Sequence, residues 1–273
     1  MNFTKMHGLG NDFIIIEDMD RAIRLSPEDA LRLCHRRTGI GADGVMLVQP
    51  SDKADVYMHL FNSDGSIAEM CGNGIRCFAK YAYESGIAKK PSIAVDTPAG
   101  VKIAELTVEN DTVTAIRIDM GVPLLDKKDV PMLGEGQCSL ERIEVDGREF
   151  LCSAMNTGVP HLVVFEEGLS EQDICHYGPL LEKHPLFPAK INVNFAHVMA
   201  DGSIAVRTWE RGCGRTMACG TGSCACAAAA AIAGYTGRTA AIRLALGTLL
   251  IEWAENGHIF MTGPAEVSFR GTI

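Results

Sequence analysis

Two short stretches of the chain carry the same chemistry-bearing signature. Cys71-Gly72-Asn73-Gly74 and Cys219-Gly220-Thr221-Gly222 each set a thiol before a glycine-broken turn that opens a helical pattern, 148 residues apart (71 to 219) in a chain of 273. A cysteine at a helix start lies against unpaired backbone N–H groups and the positive end of the helix dipole, which favours its thiolate. Glycines in the first turn let a ligand approach the backbone, so the same N–H groups can receive a carboxylate. Two such ends facing one another would hold one carboxylate between two thiols. That geometry suits stereoinversion: one cysteine removes a proton from the carbon beside the carboxylate, and the other returns one from the opposite face. The paired N–H groups would stabilise the charge that spreads onto the carboxylate.

A single Cys-Gly-x-Gly reads more simply as a tight turn with a small buried hydrophobe. Two copies, each followed by a helical pattern, reverse that preference. Neither turn continues into the Gly-Lys-Ser or Gly-Lys-Thr of a phosphate loop, and neither offers the Gly-x-Gly-x-x-Gly of a dinucleotide site. The ten cysteines, at 34, 71, 77, 138, 152, 175, 213, 219, 224 and 226, include no Cys-x-x-Cys pair, so no metal site is expected. Cys224 and Cys226 run into the alanine-rich pattern from Ala225 to Ala231 and read as buried structural thiols.

The elements that must position the two caps are mostly short strands between glycine turns. Phe13 to Glu17, Gly44 to Val48, Tyr57 to Phe61, Ile93 to Thr97, Val101 to Val108 and Thr112 to Met120 read as strands in the first half. Pro27 to Arg36 reads as a helix with Ser26 at its N-cap and Asp29 three residues on. Gly121-Val122-Pro123 and the polar stretch to Gly136 look like a domain junction. Beyond it, Arg142 to Val145 and Glu149 to Ala154 flank the hairpin signal Asp146-Gly147. Leu162 to Phe165, Asn194 to Met199 and Ile204 to Trp209 follow, then a helix from about Gly220 to Tyr235, then strands near Ile242 to Leu246, Leu249 to Trp253 and His258 to Thr262. Each half has strands, one glycine-initiated helix, then more strands, which with the shared signature implies an internal repeat.

Composition narrows the partners. The 25 basic against 34 acidic residues give a net charge of −9 with no basic run, so nucleic acid is not an expected partner. A hydrophobic content of 47% supports a packed core, and the length allows two domains or one large one. Met1 to His7 is polar and lacks the apolar core of a signal peptide, and the most apolar long stretch, Cys224 to Ala233, falls short of the ~20 residues that span a bilayer. No membrane is expected, a cytoplasmic location is, and in that reducing compartment the thiols should be free.

At the level of motifs the chain resembles the diaminopimelate epimerase family. The likeness is carried by His7-Gly8-Leu9-Gly10-Asn11-Asp12-Phe13, by Gly39-Ile40-Gly41-Ala42-Asp43-Gly44, by Phe61-Asn62-Ser63-Asp64-Gly65-Ser66 through Cys71-Gly72-Asn73-Gly74-Ile75-Arg76-Cys77, and by Trp209-Glu210-Arg211-Gly212 through Ala218-Cys219-Gly220-Thr221-Gly222. These motifs span nearly the whole chain in order. The resemblance implies an α/β (α+β) fold of two pseudo-symmetric domains, each a mostly antiparallel sheet wrapped around a central helix, with the site in the cleft between them. It implies one domain at residues 1–118 with 264–273 and the other at 119–263. It implies an isomerase that uses no cofactor and no metal, acts on a small amino-acid substrate and forms a homodimer, through the C-terminal strand around Phe269. Cys71 and Cys219 would be the acid and base pair, and Gly72, Asn73, Gly220 and Thr221 would bind the α-carboxylate. Asn11, Asn62, Asn192 and Arg211 would hold the remaining polar groups, Arg211 taking the distal carboxylate with its planar fork. Glu210 would engage a substrate ammonium, and His161 and Glu210 would tune the thiols.

The chain departs from the family pattern at two places. Val159 in Gly158-Val159-Pro160-His161 stands where many members have an asparagine that faces the distal end of the substrate, and Gly44 stands where a glutamine is often found. Asn156 or Thr157 is the expected substitute donor. The expected reaction is interconversion of LL- and meso-2,6-diaminopimelate, with a same-fold racemase of histidine or glutamate as the near alternative. From another class, a non-catalytic thiol-sensing module would keep the same two cysteines.

Overall fold

Short apolar runs bounded by glycine turns fold here as strands, and two long helical patterns become the centres around which they wrap. The computed structural model describes residues 1–273. Two units emerge, Met1–Asp119 with Thr262–Ile273, and Met120–Met261.

The first unit runs β1 (Asn2–Gly8), β2 (Asn11–Glu17), α1 (Pro27–Cys34), β3 (Gly44–Gln49), β4 (Val56–Asn62), β5 (Ile67–Ala68), α2 (Gly72–Glu84), β6 (Ser92–Asp96), β7 (Lys102–Glu109) and β8 (Thr112–Gly121). The neighbours β2 and β3 are parallel, as are β4 and β6, and the other paired strands are antiparallel. Helices lie on both faces of β2. Ile14 and Ile16 pack with Ala30 and Leu33 of α1, while Phe13 reaches towards Gly74 of α2. A strand covered on both faces reads as a continuous apolar run instead of an alternating one, which is why Phe13 to Ile16 are all buried. Nine of the thirteen residues of α2 are buried, including Lys80, whose Nζ meets Glu84 at 2.7 Å and the Val113 carbonyl at 2.6 Å.

The second unit runs β9 (Cys138–Val145), β10 (Arg148–Asn156), β11 (Pro160–Phe165), α3 (Glu171–Glu182), β12 (Asn192–Val198), β13 (Ile204–Glu210), β14 (Gly214–Thr216), α4 (Gly220–Ile232), β15 (Thr239–Leu244), β16 (Gly247–Trp253) and β17 (Ile259–Gly263). Its pairing repeats the first unit step for step. β10 and β11 pair antiparallel as β1 and β2 do, β11 and β12 are parallel as β2 and β3 are, and β13 beside β15 repeats β4 beside β6. The outer strand differs in origin: β9 pairs with β10, whereas its counterpart on β1 is β18 (Glu266–Thr272), supplied by the end of the chain. The repeat holds in register as well. Val45 lies opposite Phe61 as Val193 lies opposite Trp209, and Phe13 lies beside Gly44 as His161 lies beside Asn192, each matched pair 148 residues apart.

Several sequence expectations shift. α1 stops at Cys34 and not Arg36, because His35 leaves the helical region and the N–H groups of Ile40 and Gly41 close onto Leu33 O. α4 stops at Ile232 and not Tyr235: Gly234 takes φ +74°, Tyr235 N–H reaches Ala230 O and Gly234 N–H reaches Ala231 O, a Schellman cap. The amino-terminal run, read only as polar, is the strand β1, with Thr4 and Lys5 buried. α3 was not expected at all, although Ser170 and Asp173 form the same reciprocal capping box as Ser26 and Asp29. Gly178 and Pro179 lie inside it, and Gly178 is needed because a β-carbon would sit 2.7 Å from the Trp209 ring. The boundary between the units falls at Asp119 and Met120, just before the junction expected at Gly121, and the polar stretch that follows belongs to the second unit, with Val130 and Met132 buried in its core.

Candidate active site

Each central helix begins on a sulfur. Cys71 is the N-cap of α2 with φ −141° and ψ 116°, and its Sγ accepts the Gly74 N–H at 3.4 Å. Cys219 is the N-cap of α4 with φ −129° and ψ 111°, and its Sγ accepts the Gly222 N–H at 3.4 Å. This position ordinarily takes the oxygen of Ser, Thr, Asp or Asn. Sulfur is a weak cap, but as a thiolate it lies where the helix dipole and a free N–H stabilise negative charge.

Around Cys71 the amides are polarised by charges at both ends. Arg76, fully buried, donates to Asn73 Oδ1 at 3.1 Å, to Gly72 O at 3.2 Å and to Pro264 O at 3.2 Å. A guanidinium only donates, so Asn73 must present its oxygen there and turn Nδ2 to Asn11 Oδ1, 3.2 Å away. Asn11 Nδ2 in turn donates to Asp43 Oδ2 at 2.6 Å. Asn11 Oδ1 is thereby held 3.7 Å from Cys71 Sγ as an acceptor. Behind it, Arg36 bridges Asp43 and Asp12 at 2.7 and 2.8 Å, and Lys5 meets Asp12 at 2.8 Å. Burial works to raise the Asp12 pKa, but hydrogen bonds from Arg36 and Lys5 together prevail and hold it at about 2. Asn62, the last residue of β4, donates to Ser66 Oγ at 2.9 Å. Gly44 has no room for the longer side chain: a β-carbon there would lie 2.6 Å from Phe61 O.

Around Cys219 the network is a buried polar relay. His161, wholly enclosed, has Nε2 2.9 Å from Thr221 Oγ1 and Nδ1 3.0 Å from Asn194 Nδ2. Asn194 Oδ1 receives the Thr208 hydroxyl at 3.1 Å, and Thr221 Oγ1 lies 3.4 Å from Cys219 Sγ. Burial, with the Arg211 charge added, pushes the His161 pKa down to about 3, so the ring is neutral at ordinary pH. His161 reaches the thiol through Thr221. Asn192 accepts the Arg211 N–H at 2.9 Å and donates to Pro160 O at 2.9 Å, which fixes the backbone at the end of β13 where Glu210 and Arg211 emerge. The Arg211 side chain is exposed, with Nη1 donating to Ala189 O at 3.0 Å.

Asn194 and Thr208 were not singled out from the sequence. Asn192-Val193-Asn194 puts two amides on one face of β12, a signal that gains meaning only once that face is known to be buried. Of the two expected substitutes for the distal amide, Asn156 donates to Asp129 O and accepts the Gly158 N–H, and Thr157 donates to Thr221 O at 2.8 Å. Val159 stands 38% exposed.

The remaining thiols divide by burial. Cys34, Cys138 and Cys77 are pushed up to about 11, 11 and 12 by desolvation, and Cys152 and Cys226 also rise. Such thiols stay protonated and unreactive. Cys175 and Cys213 are exposed. No three His, Cys, Asp or Glu side chains cluster so as to hold a metal ion, and no helix is long and apolar enough to cross a membrane.

Two units of one topology, each a sheet around a buried central helix, define a distinct class of fold. It is shared with a phenazine biosynthesis protein of the PhzF family from Bacillus anthracis, at a TM-score of 0.72 and 16% identity over 100% of this chain and 98% of that one. A probable proline racemase from Agrobacterium radiobacter K84 is similar at a TM-score of 0.69 and 19% identity, over 100% and 92%. Within that class the chain belongs to the diaminopimelate epimerase family, whose model matches residues 3–125 and 153–268. A diaminopimelate epimerase from Desulfitobacterium hafniense is 47% identical over 277 residues, covering 100% of this chain and 98% of its own.

Proposed function

We propose that the protein is a cofactor-independent isomerase that interconverts LL- and meso-2,6-diaminopimelate, supplying lysine and peptidoglycan precursors in the cytoplasm. The observation that carries this is sulfur in the capping position of both pseudo-equivalent helices, each bonded to a glycine N–H at 3.4 Å. The two caps serve opposite faces of one α-carbon. The thiolate on one side takes the α-proton, the electron pair spreads onto the carboxylate, and the thiol on the other side delivers its proton to the opposite face. Charge and proton count balance, and the two sulfurs end with exchanged protonation. Backbone N–H groups of Gly72, Asn73, Gly220 and Thr221 hold the α-carboxylate where its charge grows.

The distal end is held by Arg211, whose fork suits a carboxylate, and by Glu210, which takes an ammonium. Asn11, Asn62 and Asn192 orient the rest. With Val159 apolar, discrimination at that end falls mainly on Arg211. We also propose a homodimer through β18, most of whose residues are exposed, Phe269 among them.

The test is to incubate the purified protein with LL-diaminopimelate in deuterated water without added cofactor. Deuterium should enter the α-position as meso product appears. A panel including histidine and glutamate should show no exchange. Absence of deuterium with diaminopimelate defeats the proposal, and exchange with another amino acid alone would reassign the substrate.

A further inference from the structure

The two capping thiols match in backbone and oppose one another in the hydrogen bonds that reach their sulfurs. Asn194 sets that difference. Its Nδ2 lies 3.3 Å from the Leu162 carbonyl, which only accepts, so the amide cannot be turned the other way. The same Nδ2 then donates to His161 Nδ1, and the Thr208 hydroxyl satisfies Oδ1 on the far side. With Nδ1 an acceptor, the single proton of the neutral ring is on Nε2 and goes to Thr221 Oγ1. The hydroxyl hydrogen of Thr221 is left to point at Cys219 Sγ. In the first unit the matched strand positions are Phe13, Met46 and Leu60, all apolar and buried, so no relay exists there. Asn73, matched to Thr221, turns its donor away to Asn11, and Cys71 meets the acceptor Asn11 Oδ1 instead.

We infer that Asn194, backed by Thr208, is a positioning residue that locks His161 as the Nε2–H tautomer, and that the relay makes Cys219 the thiolate and Cys71 the thiol in the substrate-free protein. The inference rests on the two-thiol reading of the site and adds which thiol begins as the base. Burial, with the Arg211 charge second, keeps the ring neutral, so the relay does not reverse by ring protonation at ordinary pH. The titratable groups beside Cys219 on its own helix are the thiols Cys224 and Cys226.

Two measurements without substrate test this. Long-range proton–nitrogen correlation spectra of labelled protein, with His161 assigned by its loss in His161→Gln, should show Nε2 protonated and Nδ1 bare. Ultraviolet thiolate absorbance at neutral pH should persist in Cys71→Ala and vanish in Cys219→Ala. Asn194→Asp places an acceptor against Nδ1, so it should flip the tautomer and cut the thiolate signal of Cys71→Ala by at least several-fold. Thr221→Val, nearly isosteric, should cut the signal and leave the tautomer alone. An Nδ1–H ring in the unaltered protein overturns the inference, as does a thiolate signal that survives in Cys219→Ala or ignores Thr221→Val. The deuterium assay is independent of each of these outcomes, so the relay can fail while the epimerase reading stands.

Discussion

At the residue scale, the proposed chemistry rests on two sulfurs and the groups that polarise them. Because the backbone N–H groups of both helix starts survive side-chain truncation, Cys71→Ala and Cys219→Ala should each lower kcat/KM by about 10² to 10⁴, the usual worth of a positioned acid or base. Substrate affinity by calorimetry should stay close to that of the parent; a variant that retained full epimerisation would remove its cysteine from the chemistry. His161 yields a stability prediction. Its ring titrates near 6.5 when unfolded and at about 3 when buried, so between those values the unfolded chain binds the extra proton. Stability is therefore constant above pH 6.5 and falls as the pH drops towards 3, by up to about 1.4 kcal/mol per pH unit from this group. Denaturant titrations either side of pH 6.5 should show a shallower loss for His161→Gln; the difference between the two proteins cancels the contribution of His59, which burial also lowers. Cys71 and Cys219 stood out in the sequence as candidates through their repeated motif, and His161 only through the family resemblance. Asn194 and Thr208 did not, since an Asn or Thr in a strand reads alike on a wet or a buried face until register shows it opposite its partner.

At the element scale the two central helices are near copies whose first turns are lined differently. A β-carbon on Gly74 would overlap Met46 Cε, and one on Gly222 would overlap Asn194 Oδ1. Met46 ends in a flexible thioether that can swing aside, whereas the Asn194 amide is held by His161, Leu162 and Thr208. Gly222→Ala should thus cost about 1–3 kcal/mol, within the range for overpacked cores, and Gly74→Ala distinctly less. Thermal unfolding of the two variants side by side checks the order, and equal losses would contradict it. Strands and central helices were readable because each carries its own pattern between turn residues. α3 was not, because its Gly178-Pro179 pair imitates a break whose real purpose, clearance for the Trp209 ring, lies in a strand thirty residues on. The helix ends were misjudged by two or three residues for a related reason: they are set by the carbonyls that N–H groups past the last turn claim, Ile40 and Gly41 at α1 and Gly234 and Tyr235 at α4.

At the scale of the whole molecule, the chain leaves the first unit unfinished, builds the second, and returns to complete the first with β18. Sequence repetition made two halves visible, but the exchange of an outer strand is a matter of topology that no local pattern carries. Phe269 packs edge-on to Phe3 with ring centroids 5.9 Å apart while remaining 49% exposed. If that face joins two copies, Phe269→Glu should shift the dimer to monomer in light scattering, and an unchanged mass would place the interface elsewhere. The returning strand also supports the site from behind. β18 pairs with β1 over six residue pairs, and the turn before it provides the Pro264 carbonyl that Arg76 grips. Deleting residues 264–273 removes both at once and leaves a buried guanidinium short of one acceptor, a loss of about 1–3 kcal/mol on top of the strand itself. Hydrogen exchange of the truncated chain should therefore show the first unit, β1 and α2 foremost, losing protection while α4 and the strands around it keep theirs. Equal loss in both units would mean that neither folds without the other, and no loss in either would strip β18 of any structural part in holding Cys71.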